Sequence, residues 1–184
     1  MSAITHAKIL IMATDGFEQS ELFVPRERLR ARHAAVHVAT PGGEAIRGWD
    51  GNDWGETIGA DLAIADVDPS RYDALVLPGG QINPDRLRTD GRALETIRAF
   101  ARAGKPVAAI CHAPWLLIEA GLVEGRAVTS FESIATDLRN AGAQWRDDEV
   151  VRDGPLITSR NPGDLDAFIA ALVVAVEDGA RRAA

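Results

Sequence analysis

Three unbroken apolar runs of strand length constrain this chain most. They are Ile9 to Ala13, Ala74 to Leu77 and Val107 to Ile110, and a fourth candidate, Val36 to Ala39, is interrupted only by His37. A strand with one wet face alternates apolar and polar residues. A strand that is apolar at every position must be covered on both faces, as in parallel sheets. Amphipathic stretches separate the runs. The clearest is the last, where Leu165, Phe168, Ile169, Leu172, Val173 and Val176 share one face at helical spacing. Asn161 suits its N-cap and Pro162 its first turn. Strands alternating with helices predict a mostly parallel sheet with helices on both faces.

The remaining elements follow the same logic. Helices are expected over Glu18 to Arg32, Arg92 to Ala103 and Glu132 to Ala141. Pro25 should kink the first of these or mark a late start. Trp115 to Ile118, apolar on most sides and ended by Gly121, predicts a buried helix. Val150 to Arg152 and Leu156 to Thr158, separated by Asp153-Gly154-Pro155, read as a late hairpin. Trp49 and Trp54 lie in the polar, Gly-rich segment Arg47 to Gly59; a surface or subunit contact and local packing both remain open.

Composition narrows the function classes. The 184 residues suit one domain, 1–184, with 46% hydrophobic and 26% charged residues, which argues against disorder. A net charge of −7 disfavours nucleic-acid binding. No apolar run reaches the ~20 residues of a membrane span, and Met1 to Lys8 lacks the pattern of a signal peptide. A soluble cytoplasmic protein is expected. The single cysteine rules out an intrachain disulfide and a Cys-rich zinc site. No metal constellation and no phosphate-binding glycine loop stands out.

Open α/β sheets place their sites beyond the carboxyl ends of the strands. Three segments qualify: Thr14-Asp15-Gly16-Phe17-Glu18, Pro78-Gly79-Gly80 and Cys111-His112-Ala113-Pro114. If their strands are adjacent, a carboxylate, a glycine pair and a Cys-His meet at one end of the sheet. Cys111 has almost no loop between strand and helix, as at a nucleophile elbow. The helix dipole there is expected to lower the thiol pKa. A lone cysteine is more often a small core residue, but the position between strand and helix favours a reactive one. His112 can serve as acid or base. Glu18 is either a first-turn helix carboxylate or a protonated acid turned to the sulfur. Gly79 and Gly80 are either a simple turn or a backbone oxyanion site.

Together, Asp15-Gly16-Phe17-Glu18, Ala74 to Gly80 and Ala109-Ile110-Cys111-His112-Ala113-Pro114 resemble the ThiJ/PfpI superfamily, nearest its PfpI-type branch of intracellular peptidase-like and deglycase-like proteins. The likeness continues through Gly125-Arg126, Asn140 to Ala143 and Thr158-Ser159-Arg160. It implies a flavodoxin-like three-layer sandwich, a single domain related to class I glutamine amidotransferases, with the cysteine on a nucleophile elbow. It also implies Cys111 as nucleophile, Glu18 as its protonated acid, His112 as its histidine, Gly79 and Gly80 as oxyanion site, and no cofactor. Asp85 is the nearest counterpart of an acid that a neighbouring subunit supplies to a Cys-His-acid triad. A homodimer or higher homo-oligomer follows. The implied activity is stress defence against small reactive carbonyls or their adducts on protein or peptide, glyoxalase III-like or deglycase-like. An intracellular cysteine peptidase, or a redox sensor or stress chaperone oxidised at Cys111, are the alternatives.

Overall fold

A computed structural model describes residues 3–183. Met1 and Ser2, the start of the segment read for a signal peptide, and Ala184, the end of the expected domain, lie outside the described residues. The strands are β1 (Lys8–Met12), β2 (Phe17–Glu18), β3 (Ala35–Thr40), β4 (Ile46–Asp50), β5 (Asp53–Ile58), β6 (Leu62–Ala63), β7 (Ala74–Leu77), β8 (Val107–Ile110), β9 (Ala127–Val128), β10 (Gln144–Trp145), β11 (Val150–Asp153) and β12 (Leu156–Ser159). The helices are α1 (Gln19–Ala31), α2 (Ile82–Leu87), α3 (Gly91–Arg102), α4 (Pro114–Glu119), α5 (Ala135–Asn140) and α6 (Leu165–Ala183).

The main sheet has seven strands in the order β11-β12-β8-β7-β1-β3-β6, all parallel except β11. Its four anticipated strands occupy adjacent positions at the centre. Their period of two divides the core. Ile9, Ile11, Val38, Val76, Ala108 and Ile110 face one layer with Leu22 and Leu29 of α1 and Phe168 and Leu172 of α6. Leu10, Met12, Leu75, Leu77, Val107 and Ala109 face the other, with Ile97 and Phe100 of α3 and Leu116 and Leu117 of α4. Each such fully buried large side chain contributes about 1.5–3 kcal/mol of transfer free energy. Truncating Phe168 to alanine would cost ~3–5 kcal/mol through the cavity it leaves.

Two elements depart from the sequence expectations. Helix α1 begins at Gln19, well before Pro25, and continues past it, with Pro25 buried within it. Proline there removes only the N–H that would bond the Glu21 carbonyl, and burial against the sheet offsets that loss. The Arg47 to Gly59 segment is a hairpin, β4–β5, which β2 joins in a separate three-stranded sheet. Trp49 and Trp54 pair across it edge to face, centroids 5.6 Å apart. Arg47 Nε and Nη2 donate to the Gly55 and Trp54 carbonyls. The tryptophans therefore pack on each other. The late hairpin forms as expected, and its second strand, β12, also pairs in parallel with β8. Asn161 caps a short 3-10 turn, Pro162–Asp164, that leads into α6. No helix among the described residues is long and apolar enough to cross a membrane.

Candidate active site

Three chain turns meet at the carboxyl edge of β1, β7 and β8. A fully buried side chain, Asn83, joins two of them. Its Oδ1 accepts from Thr14 N–H at 2.8 Å, after β1, and its Nδ2 donates to the Pro78 and Gly79 carbonyls at 2.8 and 3.2 Å, after β7. Both glycines after β7 are required sterically. A Cβ on Gly79 would lie 2.6 Å from Cys111 Cβ and 2.8 Å from Glu21 Oε2. A Cβ on Gly80, whose φ is +77°, would strike the Gly16 carbonyl and lie 2.7 Å from Glu18 N.

Cys111 follows the fully buried β8 and has φ 63°. Its N–H donates to the Ser159 carbonyl at 3.0 Å, and its own carbonyl accepts from Phe131 N–H at 2.9 Å. Those two bonds clamp a conformation that costs about 1–3 kcal/mol in a residue bearing a Cβ. The residue is buried, with 7% exposure. Polar groups surround the sulfur: the Gly80 and His112 amides donate toward it, and His112 Nδ1 lies 3.1 Å from Sγ. The thiol pKa is pushed up, first by burial and then by the charge of Glu21; the two amides oppose this. The dipole expected to lower it comes from a helix of only six residues, too small a term to reverse burial.

His112 stacks on Phe131, ring centroids 4.8 Å apart at 23°, and meets Trp115 edge-on at 5.3 Å. Its Nε2 lies 3.1 Å from Ser133 Oγ. Burial lowers its pKa, so the ring is neutral near pH 7 and one nitrogen is free to accept a proton. Trp115 is fixed by Nε1–H donation to Asp137 Oδ2 at 2.8 Å and by the Arg88 guanidinium over its ring.

The carboxyl packed against Cys111 is that of Glu21. Glu21 is fully buried and its Oε2 accepts from Gly79 N–H at 2.8 Å. Burial, more than any neighbour, raises its pKa to about 8. Glu18, the residue singled out from sequence, precedes α1, is only half-buried and bonds Ser20 Oγ at 3.4 Å. Its pKa is raised by burial. Glu21 was missed, although a signal existed: Glu21, Pro25 and Leu29 fall at i, i+4 and i+8, all buried on one stripe of α1. An acid on an apolar stripe marks a buried carboxyl.

The remaining candidates separate. The Gly80 amide faces the sulfur, whereas the Gly79 N–H is taken by Glu21. Asp85 is exposed in α2, where Gln81, Ile82, Asp85, Arg86 and Trp115 line an open pocket of about 420 Å³. Within this chain His112 meets Ser133, whereas the contact expected of Asp85 is one between two copies. Among the described residues no group of three or more His, Cys, Asp or Glu is placed to hold a metal ion.

A cysteine in left-handed conformation between a central parallel strand and a helix, with a buried carboxyl and a histidine at the sulfur, defines a cysteine-elbow α/β protein. The DJ-1/PfpI family matches residues 7–175, and the chain belongs to that family. It is 43% identical over 162 residues to Deglycase PfpI of Pyrococcus furiosus, covering 88% of this chain and 95% of that protein. It is 43% identical over 163 residues to Protein/nucleic acid deglycase 2 of Escherichia coli, covering 88% and 92%. Among solved structures, Drosophila melanogaster DJ-1beta superposes with a TM-score of 0.83 at 30% identity, covering 96% of each chain. The fold is the flavodoxin-like sandwich of that superfamily.

Proposed function

We propose that this protein is a cofactor-independent deglycase-like enzyme that acts on methylglyoxal-type carbonyls or their early adducts on protein. Cys111 on its elbow, with Glu21 and His112 at the sulfur, carries the reading, and the relatives named deglycases support it. Thiol chemistry can open the reaction. Cys111 Sγ bonds the aldehyde carbon, the C=O electron pair moves to oxygen, and the thiol proton passes to His112 Nδ1. The Gly80 amide is positioned to stabilise the oxyanion. With free methylglyoxal, His112 returns that proton to the oxyanion. Its neutral ring then takes the proton on the former aldehyde carbon and delivers it to the ketone carbon, while protonated Glu21 donates to the ketone oxygen and recovers a proton from the hydroxyl on the sulfur-bearing carbon. That internal redox step oxidises one carbon and reduces the other, leaving a lactoyl thioester that water cleaves. A protein adduct enters one step earlier: its hemiaminal carbon expels the amine or guanidine, which leaves with the hydroxyl proton, and the aldehyde carbon so freed bonds Sγ as above.

Glu21 suits this role because, at a pKa of about 8, it is mostly uncharged near pH 7. An ionised acid beside a thiolate would be repulsive; a protonated one can donate to it. Glu18, half-buried nearby, is a second carboxyl that raises the pKa of Glu21 through its charge. The test is lactate formation from methylglyoxal, and amine release from freshly glycated peptide, by wild type and Cys111→Ala. Equal rates end the proposal.

A peptidase is the second reading, favoured by the exposed Asp85 beside Trp115, whose ring meets His112. It requires a homodimer or larger oligomer in which a second copy supplies Asp85 as the third triad member. Peptide cleavage lost in Asp85→Asn would support it; cleavage retained in Cys111→Ala would exclude it. Either enzyme would act in the cytoplasm as one domain.

A further inference from the structure

The imidazole of His112 is held at both nitrogens by its own chain. Nδ1 faces Cys111 Sγ at 3.1 Å and Nε2 faces Ser133 Oγ at 3.1 Å. Ser133 sits in the 3-10 turn Glu132–Ile134, which follows Phe131, the residue stacked on the ring. Phe131 is in turn tied to the Cys111 carbonyl through its N–H. Elbow, ring and hydroxyl therefore form one connected unit.

We propose that Ser133 is a positioning residue: by accepting the Nε2–H of His112 it leaves the Nδ1 lone pair aimed at the Cys111 thiol, so that a Cys-His-Ser relay is complete within one chain. The sulfur already receives two amide donors, from Gly80 and His112. A third donor, Nδ1–H, would leave the thiol proton without an acceptor on the ring. With Nδ1 as acceptor, the ring proton must sit on Nε2, and Ser133 Oγ is the oxygen there. On attack, the S–H proton moves to Nδ1, giving an imidazolium whose Nε2–H remains bonded to a neutral hydroxyl. A neutral partner stabilises that cation less than a carboxylate would. The other charged groups around the ring are Glu21 and Glu18 on the sulfur side, Asp137 and Arg88 on Trp115, and Glu132 beside Ser133.

The proposal rests on Cys111 as the reacting group but not on its substrate. Iodoacetamide alkylation of Cys111 and the nitrogen-15 chemical shifts of His112 therefore test it even if carbonyl turnover fails. Wild type should show the Nε2–H tautomer. Ser133→Ala should slow alkylation at neutral pH by roughly five-fold, the worth of one neutral hydrogen bond, and Ser133→Thr should restore it. Ser133→Asp should raise the His112 pKa and speed alkylation at neutral pH. An Nδ1–H tautomer in wild type overturns the proposal. So do unchanged alkylation and His112 titration across all three variants, or a loss in Ser133→Ala that threonine does not rescue.

Discussion

His33 and Cys111 hold nearly the same left-handed backbone, φ 65° and 63°, and they are the non-glycine residues with positive φ among those described. Their surroundings differ. His33 is exposed and ends α1: its N–H donates to the Arg30 carbonyl at 2.8 Å, and Ala34 N–H to the Leu29 carbonyl at 3.1 Å. That pair of bonds is the Schellman stop, a role glycine fills at lower cost. Cys111 is buried, pinned to Ser159 and Phe131, and surrounded by Glu21, His112 and the Gly80 amide. The same torsion is incidental in one place and chemically committed in the other. Strain alone does not mark a site; strain that aims a nucleophile into polar groups does.

Glycine substitution separates the two. Cys111→Gly should relax the elbow and still abolish carbonyl turnover, by about three or more orders of magnitude, as nucleophile removal does. Turnover by that variant, checked against its folded circular dichroism, is the measurement. Gly80→Ala should destabilise the fold by about 3 kcal/mol in denaturant titration, because its Cβ would strike the Gly16 carbonyl in a left-handed conformation.

Glu21→Gln sharpens the contrast through pH. The folded pKa of Glu21, about 8, lies above the ordinary carboxyl value, so between roughly pH 4.5 and pH 8 the folded state binds more protons than the unfolded state. Stability from this group is full at the acid end and lost as pH rises. Unfolding free energies at pH 5 and pH 9 should therefore differ less in Glu21→Gln than in wild type. The smallest effect belongs to the other end of the comparison. His33→Gly should stabilise the protein by ~0.5–1 kcal/mol with turnover unchanged.

The strands were legible because every position of β7 and β8 is apolar, a pattern that admits few other readings. The convergence of three turns was legible from the same strands, since adjacency in a parallel sheet brings their carboxyl ends together. The hairpin at Trp49 and Trp54 was not, because its strands alternate weakly and its stability comes from a ring pair and Arg47 bonds that exist only after pairing. The acid at the sulfur was misplaced by one helical turn. Glu18 lies nearest the motif in sequence, but the rotation of α1 carries Glu21 inward. Ser133 and Asn83 were invisible for the same reason: each acts through a contact between segments far apart in the chain.

After burial, the charge of Glu21 is what most holds the Cys111 thiol in its protonated form. The pH dependence of Cys111 alkylation by iodoacetamide, in wild type and Glu21→Gln, tests it directly. A lower apparent thiol pKa in the variant is the predicted result, since the nearby negative charge is gone while the Gly80 and His112 amides remain. An identical titration in both proteins would contradict it.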